Sequence, residues 1–113
     1  MKKVYNYSEL QAVSQQLPYE FAKYLMDEFT GLYDYLSNGE GINEFELSPN
    51  QGIVILERKE EINTLIANVS WELEFVEKVQ FQNHVIHRIA IFQDEDVQLC
   101  YYVEEKKDAF RKE

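Results

Sequence analysis

The sequence predicts an α+β two-layer domain, with N-terminal helices packed on an antiparallel β-sheet built from a hairpin plus a three-stranded meander. Three observations predict it. Apolar residues recur at helical spacing between residues 8 and 37, and they alternate with polar residues at strand spacing from residue 71 onward. Short clusters of Gly, Pro, Asn, Asp and Ser separate the segments. The chain has 113 residues, which suits a single domain over 1–113.

A first, short helix follows from Ser8 and Gln11, whose spacing fits a capping box, and from Leu10, Val13 and Leu17 at intervals of three and four. Pro18 closes that segment and suits the first turn of a second helix, which runs to Ser37. In this second helix Phe21, Ala22, Leu25, Met26, Phe29, Leu32, Tyr33 and Leu36 fall on one arc of about 140°. Asn38-Gly39 reads as its C-cap. Gly31 lies in its interior, where Gly costs about 1 kcal/mol relative to Ala, and implies close approach of another backbone or simple tolerance.

Phe45 and Leu47 alternate with Glu44 and Glu46, Ser48 to Gly52 is turn chemistry, and Ile53 to Leu56 reads as a buried strand. Together they predict the hairpin. Residues 58–70 fit a helical stripe through Ile62, Leu65, Ile66 and Val69, with a strand as the competing reading; a short helix is favoured. Trp71, Leu73, Phe75, Val79 and Phe81 then share one parity, which places Trp71 in the core beneath the second helix. Val85 to Phe92 is apolar on both parities except at His87 and Arg88, as a central strand would be. Val97, Leu99, Tyr101 and Val103 alternate with polar neighbours, and 104–113 reads as a frayed charged tail.

Composition narrows the function classes. Eleven basic and twenty-one acidic residues leave a net charge of −10. That balance argues against direct nucleic-acid binding, which needs cations to neutralise phosphates, and against docking on an anionic membrane. A single cysteine excludes an internal disulfide and a multi-cysteine metal site. With no apolar leader after Lys2-Lys3, the expected location is the cytoplasm.

The chemistry-bearing residues are few. His84 and His87 are three apart on a strand and its turn, which points them to opposite faces rather than to one metal. Cys100 lies within a strand of an acidic protein, a poor setting for a thiolate nucleophile. No nucleophile elbow, zinc helix or phosphate-binding glycine loop is present, so no cofactor or catalytic residue is expected.

The surface offers more. Tyr24, Glu28, Gly31 and Tyr35 project within about 60° of one another beside the apolar arc of the second helix. Glu72 and Glu74 share one strand parity, and Asp94, Glu95 and Asp96 form an acidic turn. Tyrosine beside carboxylate suits an interface with a basic protein: the ring supplies area and the charge steers encounter. The expected partner-binding positions are therefore Tyr24, Glu28, Tyr35, Glu72, Glu74, Asp94, Glu95 and Asp96. The expected function is that of a small acidic, non-catalytic binding protein of the inhibitor, immunity or anti-defence type. The alternative is a small enzyme or enzyme subunit that uses carboxylates in a pocket between helix and sheet.

Overall fold

The computed structural model describes residues 2–49, 51–68, 73–93 and 96–106. The elements are β1 (Lys2–Val4), α1 (Tyr7–Ser14), α2 (Tyr19–Leu36), β2 (Gly52–Ile55), α3 (Glu60–Asn68), β3 (Leu73–Gln80), β4 (His84–Gln93) and β5 (Asp96–Glu105). They form an α+β domain in which a five-stranded sheet, ordered β1-β2-β5-β4-β3, has α1 and α2 packed on one face.

The helix ends show the local chemistry at work. Asn6, not Ser8, caps α1: its side chain accepts from the Glu9 N–H at 2.9 Å, and the Glu9 carboxylate accepts from the Tyr5 N–H at 2.8 Å. Asn and Glu make the same reciprocal device as the Ser8/Gln11 pair, two residues earlier, and the charged acceptor gains from the helix dipole. Pro18 is the N-cap of α2, in extended conformation, and the helix stops at Leu36 with Ser37 as C-cap. Asn38 and Gly39 thus lie beyond the cap, where the Glu40 carboxylate accepts from the Asn38 N–H and Gly39 takes a positive φ of 99°. Phe21, Leu25, Phe29 and Leu32 are the buried face of α2.

The meander is present: β3 pairs with β4 and β4 with β5, all antiparallel. The predicted 45–56 hairpin is not. Phe45 and Leu47 are buried, but their segment makes only an isolated bridge, Asn6 to Glu46, beside a hydrogen bond from the Leu47 N–H to the Tyr5 carbonyl. β2 instead inserts between β1 and β5, antiparallel to the first and parallel to the second. The sheet is therefore mixed rather than antiparallel. A four-residue strand buried along its whole length needs a partner on each side, and a turn-linked neighbour could supply only one. Residues 60–68 are helical, as favoured above. β5 extends to Glu105, so Glu104 belongs to the sheet and not to the tail. Trp71 and residues 107–113 lie outside the described residues.

Two apolar clusters flank the sheet. Ile86 and Ala90 of β4 and Val97, Leu99 and Tyr101 of β5 pack with Ile53, Ile55 and the helical residues Leu10, Phe21, Leu25, Phe29 and Leu32. On the opposite face Val54, Leu56, Ile89, Ile91 and Cys100 form a smaller cluster against which Ile62 of α3 packs. Among the described residues, no helix is long and apolar enough to cross a membrane.

Gly52 starts β2 with a φ of 126°, and a Cβ there would meet the Tyr5 ring at 3.2 Å. Both strain and space therefore demand glycine. Gly52→Ala should destabilise the domain by about 1–3 kcal/mol in a urea titration. Unchanged stability would show that the β1-β2 junction relaxes freely.

Candidate functional site: the flank of the second helix

One face of the meander carries a polar row among apolar residues. Arg88 of β4 stands in register between Glu77 of β3 and Tyr101 of β5. Above it Glu28 projects from α2. One Glu28 carboxylate oxygen accepts from Arg88 Nε at 2.5 Å and from the Tyr101 hydroxyl at 2.6 Å, while Arg88 Nη1 donates to Glu77 at 3.1 Å. Tyr24, one turn earlier on α2, packs edge-on against Tyr101 and Phe81 at ring distances of 6.1 and 5.7 Å. Glu28 and Arg88 are each about one-fifth exposed, so this pair is a half-buried clamp between helix and sheet.

The clamp divides two concavities along the same flank of α2. The larger, about 430 Å³, is lined by Glu28, Gly31, Leu32 and Tyr35 of the helix and by Arg88, Phe92, Val97 and Leu99 of the sheet. The smaller, about 320 Å³, lies among Tyr19, Glu20, Lys23, Tyr24, Asp27 and Phe81. Among the described residues Gly31 has nothing within 4 Å of where its Cβ would be. Its place on the groove wall leaves that wall open. Tyr35, 77% exposed, stands at the end of the same wall.

The electrostatics hold these groups in fixed protonation states. Burial, then the Glu28 charge, pushes the Tyr24 hydroxyl up to about 12. The same causes raise Tyr101 well above its ordinary value. Burial opposes the charge on Arg88, but the hydrogen bond and charge of Glu28 outweigh it and raise the guanidinium further. Near neutral pH the tyrosines stay neutral and the arginine charged, so the three can orient and attract but exchange no proton.

The remaining titratable groups are dispersed. His84 Nδ1 lies 2.9 Å from Glu20 on the α2 side, whereas His87 Nε2 lies 2.8 Å from Glu104, which also meets Lys59 at 3.3 Å. The two histidines thus meet separate carboxylates. Cys100 is buried, and burial pushes its thiol up to about 12, which leaves it protonated. Among the described residues no three His, Cys, Asp or Glu side chains gather as metal ligands would.

The structure brings Tyr24, Glu28 and Tyr35 to one flank of α2, with Asp96 next in chain to the groove residue Val97. Glu74 stands elsewhere, in register opposite Ile91. Glu72, Asp94 and Glu95 lie outside the described residues. Sequence reasoning missed Arg88, Tyr101 and Glu77. The available signal was Arg88 itself, a cation on the same parity as Ile86, Ala90 and Phe92. Comparison with protein families, with curated proteins and with solved structures finds no match.

Two outcomes can be measured. Glu28→Gln removes the charge that satisfies both Arg88 and the Tyr101 hydroxyl. It should cost about 2–3 kcal/mol in denaturant unfolding, the scale of hydrogen bonds to a charged group. A loss below about 0.5 kcal/mol would mean the clamp is solvated.

The second outcome concerns acid. Glu20, Glu61 and Glu104 ionise below their ordinary value of 4.5, through hydrogen bonds from His84, from the Arg58 and Glu57 N–H groups, and from His87 respectively. A lowered folded-state value contributes stability that is complete above the unfolded value and disappears as pH falls through the folded one. The melting temperature should therefore fall below about pH 4.5. Glu61→Gln should flatten that acid limb, and an unchanged limb would refute the assignment.

Proposed function

We propose that the protein is a small acidic, non-catalytic binding protein that engages a basic protein surface, with the groove beside α2 receiving an apolar or aromatic anchor of the partner. The observation that supports this reading most is the open wall at Gly31. A glycine in a helix interior costs about 1 kcal/mol relative to Ala, and among the described residues nothing lies within 4 Å of where its Cβ would be. A partner side chain would use that space.

The charges around the groove fit a cationic partner. Asp27 and Asp34 are exposed on the outer side of α2, one helical row away from the groove wall. Asp34 lies near the negative end of the helix dipole, and the last turn has no basic residue. Like charge at a helix C-terminus is mildly unfavourable to the helix and favourable to an approaching cation. With a net charge of −10, long-range attraction would speed association, and the exposed ring of Tyr35 suits cation–π or stacking contact with an arginine. Inhibitor, immunity and anti-defence proteins use acidic surfaces for the same physical reason. A free, buried Cys100 fits a reducing, cytoplasmic setting.

The test uses the full chain as bait in extracts of its native cell, beside Gly31→Leu, which fills the groove without removing charge. The partner bound by the wild type should carry a basic surface, and Gly31→Leu should weaken it at least about tenfold, or about 1.4 kcal/mol. Its association rate should fall steeply between low and high salt, because the Debye length is about 8 Å at physiological ionic strength, while dissociation changes less. A partner indifferent to both salt and Gly31→Leu would overturn the proposal. So would turnover of a small molecule abolished by Glu28→Gln in a chain that still folds.

A further inference from the structure

We propose that β3 is a self-association edge at which two copies of the chain pair antiparallel about a two-fold axis at Val76. This extends the five-stranded sheet into a continuous ten-stranded one. It is independent of the groove and its partner.

β3 ends the strand order, and among the described residues no strand pairs with its outer side. Unlike β1 at the other end, which has three residues, it has eight. Such edges are commonly blunted by proline, by a bulge or by shortness. Leu73–Gln80 contains neither proline nor glycine, and its register with β4 runs without a bulge from Leu73↔Phe92 to Gln80↔Val85. Val76, near its middle, is 56% exposed.

Sequence and symmetry select the occupant. A two-fold axis normal to the sheet keeps each face continuous, so opposed residues must share parity, and one residue must face its own copy. Centred on Val76, the pairing sets Val76 against Val76, Glu74 against Lys78 of the second copy, Leu73 against Val79, and Phe75 against Glu77, whose carboxylate already accepts from Arg88 within its own chain. Opposite charges therefore meet at two symmetry-related places, and apolar residues meet at the axis and beyond it. Centring on Glu77 would oppose two carboxylates. Centring on Phe75 would set both Leu73 against Glu77 and Glu74 against Val76, two carboxylate–apolar pairings where the Val76 register has one, and would take Glu74 away from Lys78. Like charges directly opposite, and carboxylates facing apolar residues, both disfavour a cross-strand pair. Of these registers, the one centred on Val76 is therefore where the charges of Glu74 and Lys78 best complement a second copy.

Sedimentation equilibrium of the full chain from micromolar to millimolar concentration tests the association. The mass should rise toward twice that of the chain. Glu74→Lys and Lys78→Glu should each weaken dimerisation at least tenfold, and the double exchange should restore it. Val76→Cys tests the register by a route that needs no charge change. Residues opposite each other in an antiparallel pair have Cα atoms about 4.5–5.5 Å apart, within disulfide range. Mild oxidation should therefore link Val76→Cys chains to one another, while Lys78→Cys, whose opposite position is Glu74, should remain largely unlinked. Circular dichroism establishes that each variant is folded. A wild type that stays monomeric at millimolar concentration overturns the proposal. So does a dimer that ignores both charge reversals, or one in which cysteines at 76 and 78 link equally well.

Discussion

The fold is organised by one constraint: β4 and β5, two interior strands of the sheet, are apolar on both faces. Ile86, Ala90, Leu99 and Tyr101 are buried toward α1 and α2, while Ile89, Ile91 and Cys100 are buried on the other side. Neither face can be left in water. Two helices supply the larger cover, and α3 brings Ile62 to the smaller cluster. The insertion of β2 follows from the same requirement. As a strand buried along its whole length, it must have neighbours on both sides, and β1 and β5 provide them. Gly52 is where that insertion becomes sterically tight.

Within this frame two polar contacts tie α2 to the sheet, His84 to Glu20 near the helix start and a larger cluster at Glu28. Glu28 is the helix residue that bridges to β5 through Tyr101 and to β4 through Arg88, and Arg88 passes the contact on to Glu77 of β3. An arginine on a mainly apolar strand face would be costly alone. Paired with Glu28 and Glu77, it becomes a registering device that tolerates little sliding of the helix. Glu28 and Arg88 of the clamp line the larger of the two concavities beside α2.

The proposed binding role draws on that geometry. The clamp is already satisfied internally, so its charges frame the groove rather than await a substrate. Among the described residues nothing fills the space at Gly31, and the Tyr35 ring stands exposed beside exposed carboxylates. These features suit recognition of a cationic surface with an apolar anchor. The β3 edge is a separate resource. Its backbone would recruit a second copy by strand pairing, on the side of the sheet farthest from β1.

Much of the architecture was determined by the sequence alone. The stripe on α2, the alternation along β4 and β5 and the turn residues between them specify their elements locally, because periodicity and turn chemistry involve near neighbours only. The grouping of Tyr24, Glu28, Gly31 and Tyr35 on one flank was legible for the same reason. Only the tertiary structure decided the rest. Lys2–Val4 becomes a strand because Ile53–Ile55 accepts it, and three residues hold no period of their own. Residues 45–47 and β2 look like a hairpin in sequence, yet β2 takes its partners from chain positions about fifty residues away on either side. The cap of α1 moved to Asn6 because a stronger local acceptor pair outcompeted Ser8 and Gln11. Arg88, Glu77 and Tyr101 come from three strands and meet Glu28 only when register and helix placement coincide. Local pattern could show that each residue was polar or aromatic. It could not show that they would share one hydrogen-bonded row, because that depends on pairings between distant segments whose energies exist only once the chain has folded.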